Sequence, residues 1–153
     1  MKVSAICTPH VVTIPPGGSV LQAAQLMREH HVGDVIVVEL TPRGQIPLGI
    51  ITDRDIVIGI VAQGITDLGN VRASDAMARD LMTIGADDDV FRAMEKMSRR
   101  SLRRLPVVNA IGVLVGIVTY DDVLRGMAHR MADLTRTVTA QPAAEAGRRG
   151  SGG

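Results

Sequence analysis

The chain repeats itself, and that constrains its fold more than any other feature. GIITDRDI at residues 49–56 returns as GIVTYDDV at 116–123. The echo extends well beyond this phrase. At a spacing of 70, Ser4 matches Ser74, Thr13 matches Thr83, Ile14 matches Ile84 and Val20 matches Val90. Ala23, Met27 and Val37 match Ala93, Met97 and Val107 at the same spacing. The spacing then falls to 67, where Gly49, Thr52, Asp55 and Gly59 match Gly116, Thr119, Asp122 and Gly126. The lost residues fall between the matched valines and the glycine, where ELTPRGQIPL in the first copy faces only NAIGVLV in the second. Two copies of one unit explain this pattern. They divide the chain at 1–70 and 71–135.

Each copy reads in the order β-α-β-β-α. A short lead segment, with Ser4 or Ser74 as its cap, precedes a brief strand, VVTI or LMTI. Ser19 and Asp89 then open a helix, and Ser19 with Gln22 fits a capping box. Val20, Ala23, Ala24 and Met27 share one helical face, as do Val90, Ala93, Met94 and Met97. Two strands follow, VIVVE and LGIIT, then LPVVN and VGIVT, and their aliphatic runs predict burial on both faces. A second helix starts at Thr52 or Thr119. The first of these, IVIGIVAQGI, is apolar nearly all round and needs partners on more than one side, another subunit among them. The second, VLRGMAHRMADL, is one-sided, with Val123, Leu124, Met127, Met131 and Leu134 expected inward. Gly59 and Gly126 each cost their helix about 1 kcal/mol relative to alanine, which close helix approach would explain. From 136 to 153 the composition supports no core, so a disordered tail is expected.

Two such units in register, each ending in G-h-h-T-x-x-D (h for aliphatic), resemble a tandem pair of cystathionine-β-synthase (CBS) domains, a Bateman module. RRLPVV at 103–108 and MREHHVGDVIVV at 27–38 add to the likeness, which is similar to that of small stand-alone bacterial members and spans about residues 1–134. The resemblance implies an α/β (α+β) fold, two β-α-β-β-α repeats packed about a pseudo-twofold axis. It implies two clefts for adenosine compounds: AMP, ADP, ATP, NAD or S-adenosylmethionine. It also implies a homodimer shaped as a flat disc and a regulatory role exerted on an unknown effector protein.

The repeated phrase carries chemistry of its own. A carboxylate is an acceptor, and a ribose offers two adjacent hydroxyl donors, so Asp55 and Asp122 can each read a ribose by charge-assisted hydrogen bonds. Thr52 and Thr119 can contact sugar or phosphate. The same T-x-x-D also suits a helix cap, and the two roles can coexist. By the family likeness, the base would meet Val32, Gly33 and Asp34 in copy one, and Leu102, Arg103 and Arg104 in copy two. Thr13, Ile14, Thr83 and Ile84 match cleft-lining positions. Arg103 and Arg104 match a position that faces phosphate, whereas their counterparts Gly33 and Asp34 do not suit an anion. Arg54 can face phosphate, but its counterpart is Asp121. The two clefts are therefore expected to be unequal.

Other functions find less support. Formal net charge is +1, and Phe91 and Tyr120 are the only aromatic residues, so nucleic acid lacks both a field and stacking platforms. No apolar run reaches the roughly 18 residues of a membrane span, the start lacks a signal peptide's apolar core, and Cys7 stands alone, so a cytoplasmic protein is expected. Asp87, Asp88 and Asp89 precede a helix, where acidic residues belong, and the histidines show no zinc spacing. No acid, base or nucleophile constellation suggests an enzyme.

Overall fold

The computed structural model describes residues 1–150, with side-chain environments through Ala140. Two three-stranded sheets are built alike. In the first, β1 (Thr13–Ile14) pairs parallel with β2 (Asp34–Thr41), which pairs antiparallel with β3 (Gly44–Thr52). In the second, β4 (Ile84–Gly85), β5 (Arg104–Val108) and β6 (Leu114–Thr119) repeat the arrangement. A bulge interrupts the ladder after Val37 and again after Val107, so even the irregularity is duplicated.

The helices follow the same rule. α1 (Val20–His30) starts at Ser19, which forms the expected capping box with Gln22. α4 (Val90–Arg100) starts at Asp89, whose carboxylate accepts from the Phe91 N–H. Both end at a left-handed residue, His31 and Ser101, each with φ 53°. Val20, Ala23 and Met27 enter the first core with Val35, Val37 and Ile51, and Val90, Ala93 and Met97 enter the second with Leu105, Val107 and Val118. Both faces of β2 are covered from Val35 to Val38.

The lead segments depart from simple chain order. The 3-10 turn Val3–Ala5 packs into the second core, with Ile6 and Cys7 beside it, whereas α3 (Ala73–Ala76) and Met77 pack against the first. The backbone bonds are reciprocal. Val3 and Ser4 N–H donate to Asp88 and Ala86, while Ala73 and Ser74 N–H donate to Gly18 and Pro16. Thr8 bridges to Ile117 on β6, and Ala78 bridges to Ile50 on β3. These backbone contacts from copy one to copy two thus have mates in the opposite sense, which is what a pseudo-twofold axis requires. Ser4 and Ser74 do not cap these turns; Lys2 and Arg72 stand at the cap positions without a side-chain bond.

The second helices differ from expectation. α2 (Asp53–Ile56) runs directly into a π-helical stretch, Val57–Val61, that leaves Val57, Ile58 and Val61 exposed. A Cβ at Gly59 would meet nothing within 4 Å, so no close approach within the chain explains that glycine. At Gly126 a Cβ would lie 2.8 Å from Ile6 Cγ2, so there the close neighbour is the lead segment. α5 (Tyr120–Gly150) buries Val123 and partly covers Met127, but Leu124, Met131 and Leu134 face outward. The tail expected to be disordered is helical from 136 to 150, and residues 151–153 lie outside the described residues. Its composition indeed builds no core, since residues 128–140 are exposed throughout. Extending an existing helix needs no new nucleus, however.

Candidate functional site

The T-x-x-D phrases sit where β3 hands over to α2 and where β6 hands over to α5. Thr52 Oγ1 accepts from the Asp55 N–H at 3.1 Å, and Asp55 Oδ2 accepts from the Thr52 N–H at 2.9 Å. Thr119 and Asp122 form the same reciprocal box, also at 3.1 and 2.9 Å. Aspartate therefore does reach back to close a capping box, and each box is worth about 1 kcal/mol. The cap engages Oδ2 alone. Neither Asp55 nor Asp122 uses Oδ1 in a hydrogen bond within the described residues, and both side chains remain partly accessible. Capping and ligand reading are compatible in this geometry.

A cleft of about 250 Å³ joins the two repeats. Val32, Gly33 and Asp34 line it from copy one, and Arg104 and Thr119 line it from copy two. The residues before β1 complete it: Thr8, His10, Val11 and Val12, with Ile117 opposite. Asp34 opens β2 opposite Thr52, and Arg104 opens β5 opposite Thr119. These equivalent positions meet across the axis, where Arg104 Nη1 lies 2.8 Å from Asp34 Oδ2. The contact is close but poorly directed, because Asp34 Oδ2 is buried and takes no hydrogen bond of acceptable geometry. It acts as a charge pairing rather than a directed bond.

The remaining expected site residues are dispersed. Thr13 lines a neighbouring cavity with His10, Leu26 and His30, and accepts from Gln45 Nε2 at 3.3 Å. With Ile14 it also edges a cavity beside Gln22 and Glu29. Arg54 edges a separate hollow with Asp53, Val57 and Ile58. Asp122 opens onto a cavity of about 340 Å³ between the lead segment and α5, with Arg125, His129 and Arg130. Thr83, Ile84, Thr52, Asp55, Leu102 and Arg103 are not among the residues that line the inter-repeat cleft; Ile84 is core, and the Thr83 carbonyl accepts from Lys96.

Thr8, His10, Val11, Val12 and Ile117 escaped the sequence reading. The lead segment crosses to the other repeat, which no local pattern reveals. Thr8 and His10 have Ala78 and Asp80 as copy-two counterparts, and that divergence was the available signal, whereas Val11, Val12 and Ile117 have apolar counterparts that gave none. Cys7 lies near the same crossing. Burial pushes its thiol above the ordinary value, and the charge of Asp122 adds to the effect.

The acidic run before α4 is fully employed. Asp87 pairs with Lys2 at 2.8 Å, Asp88 accepts from Gly85 N–H and Arg92, and Asp89 caps the helix. Among the described residues no three His, Cys, Asp or Glu side chains converge as a metal site. Nor is any helix there long and apolar enough to cross a membrane.

Comparison with known proteins bears on both the fold and the cleft. The CBS domain pattern matches residues 3–62 and again 73–129. An uncharacterised protein of Methanopyrus kandleri is 37% identical over 125 residues, which cover 82% of this chain and 62% of that protein. This chain thus spans under two thirds of that relative. Hypoxic Response Protein I, solved with two coordinated zinc ions, superposes with a TM-score of 0.71 at 30% identity, over 82% of this chain and 98% of that one. A CBS domain protein of Pyrobaculum aerophilum, solved in complex with AMP, gives a TM-score of 0.72 at 26% identity, over 84% and 99% of the two chains. With two matched copies, two sheets of matching topology and reciprocal packing between them, the chain belongs to the CBS-domain family as a tandem pair.

Proposed function

We propose that this protein is a regulatory module that binds an adenosine-containing ligand without turning it over. Binding would change its packing or its grip on an effector protein. The observation that carries this reading is the cleft between the repeats, where Val32–Asp34 of one copy face Arg104 and Thr119 of the other. A pocket shared by two packed units is suited to signalling, because a ligand that fits one packing better than another shifts the balance between them. The AMP complex of the Pyrobaculum relative supports the ligand class. Asp122 does not line that cleft but is held against Thr119, which does; with Oδ1 unengaged, it is the residue we assign to the ribose of a ligand that extends past Thr119, and Asp55 is its counterpart in the other copy.

Calorimetric titration with adenosine, AMP, ATP, NAD and S-adenosylmethionine tests the reading. Asp122→Asn keeps an oxygen to cap Thr119 but removes the charge. It is expected to weaken the bound ligand about tenfold or more while leaving the melting temperature nearly unchanged. Absence of any heat or thermal shift at millimolar ligand would sink this function.

A second reading has one observation in its favour. Arg104, the cation inside the cleft, is already paired with Asp34. A cleft whose charge is internally spent suits an interaction module whose pockets are vestigial. Such a module would dimerise through the exposed apolar residues of the α2 region and α5, and nucleotide would not alter its capture of a partner.

A further inference from the structure

The Asp34–Arg104 contact has a bearing on ligand choice. Resting on the ligand-sensing reading above, we propose that the inter-repeat cleft selects adenine nucleosides without a phosphate over their phosphorylated forms, and that Asp34 sets this selectivity. The two residues hold the same position in the two repeats, yet one is an acid and the other a base. They meet across the axis inside the cavity itself, so their charges cancel where a ligand would sit. The rest of the lining is neutral or apolar apart from His10: Thr8, Val11, Val12, Val32, Ile117 and Thr119.

A phosphate entering this space has two choices, both unfavourable. It can lie beside the pair, where the carboxylate repels it and the guanidinium is already compensated. Or it can take Arg104 away from Asp34. The Asp34 side chain is only 13% exposed and its Oδ2 accepts no directed hydrogen bond, so the arginine is what offsets its buried charge. Removing that partner leaves an uncompensated buried carboxylate, which is strongly disfavoured. The single positive charge of Arg104 cannot neutralise both anions at once. A nucleoside whose 5′ end is neutral or cationic meets neither obstacle. The modest volume of about 250 Å³ suits the same choice, since it lies just below the range usual for drug-sized ligands.

The test is titration of the full chain with adenosine, AMP and ATP in one buffer. Wild type is expected to bind adenosine at least about tenfold tighter than AMP, the scale of one charge-assisted hydrogen bond. Asp34→Asn should bring the two within about threefold or reverse their order by freeing Arg104 for phosphate. Asp34→Asn combined with Arg104→Gln should cancel the gain for AMP, because no cation is then left for the phosphate. If Asp34→Asn folds poorly, Asp34→Ser, which also frees Arg104, is read in its place against the same expectation. Tighter binding of AMP than of adenosine by wild type overturns the selectivity and leaves the nucleoside site standing. An adenosine-to-AMP ratio left unchanged when Asp34 alone is replaced overturns the role of Asp34. If none of the three compounds binds, the selectivity and the function it rests on fall together.

Discussion

Gly116→Ala probes the crossing of the lead segment over β6. An added Cβ would sit 2.8 Å from the Thr8 carbonyl oxygen and 3.0 Å from Cys7 Sγ, inside the 3.4 Å where ordinary contact begins. The first of these atoms is backbone, so a rotamer change cannot relieve it. Thr8 must move, and Thr8 holds two backbone hydrogen bonds with Ile117, at 2.8 and 2.9 Å. Overpacking costs about 1–3 kcal/mol, and weakening a hydrogen bond costs up to about 1 kcal/mol. We expect a loss of about 2–3 kcal/mol. For a chain of this size that lowers the melting temperature by roughly 4–12 °C. Urea unfolding followed by far-ultraviolet circular dichroism should show a lower midpoint with an unchanged slope. Gly49→Ala makes the mirror test. Its Cβ would meet the Ala78 carbonyl at 2.9 Å and the Met77 side chain at 2.5 Å, and because methionine can turn aside the cost should be equal or smaller. Gly17→Ala, with open space around it, should change stability by less than about 1 kcal/mol and in the stabilising direction. A Gly116→Ala protein within about 0.5 kcal/mol of wild type would refute the idea that the lead segment is held tightly on the opposite sheet.

Two other outcomes follow from the same structure. Val57→Asp or Leu124→Asp should convert a dimer to monomers in light scattering, because each places a charge among exposed apolar residues of the second helices; a dimer that survives both places its interface elsewhere. Asp89 is held below its ordinary value of 3.8, first by the Phe91 N–H it caps, so its contribution to stability is complete above that value and fades as pH falls through the lower, folded value. Melting temperatures of wild type and Asp89→Ala should therefore differ more at pH 6 than in acid, and a difference that grows as pH falls would contradict the cap.

Much of this architecture was legible in the residues because local and global preferences agree. Ser19 with Gln22, Asp89 before Val90, and the aliphatic runs around Val35 and Leu105 each specify their element without help from distant contacts. What could not be read depends on partners far along the chain. Nothing local in VSAIC says that Val3 will lie fully buried beneath the second sheet rather than the first. The outward turn of Leu124, Met131 and Leu134 was hidden for a related reason. Helical periodicity identifies a common face but not whether the same chain covers it. Among the site residues, the T-x-x-D capping geometry followed from spacing alone, whereas the meeting of Asp34 with Arg104 required the axis. Reading the two copies side by side set these residues in correspondence; only the packing made them neighbours.

The crossed leaders also bear on assembly. A gene encoding a single copy would make a product whose first few residues have no sheet of their own to rest on. Two such products, turned to face one another, would each lend the other what it lacks and close into a symmetric pair. In the present chain the two copies are joined by a segment near residue 70 whose Leu68 and Val71 pack against the first core. Cutting the chain between the copies should yield halves that recombine readily, yet neither half should stay folded in isolation.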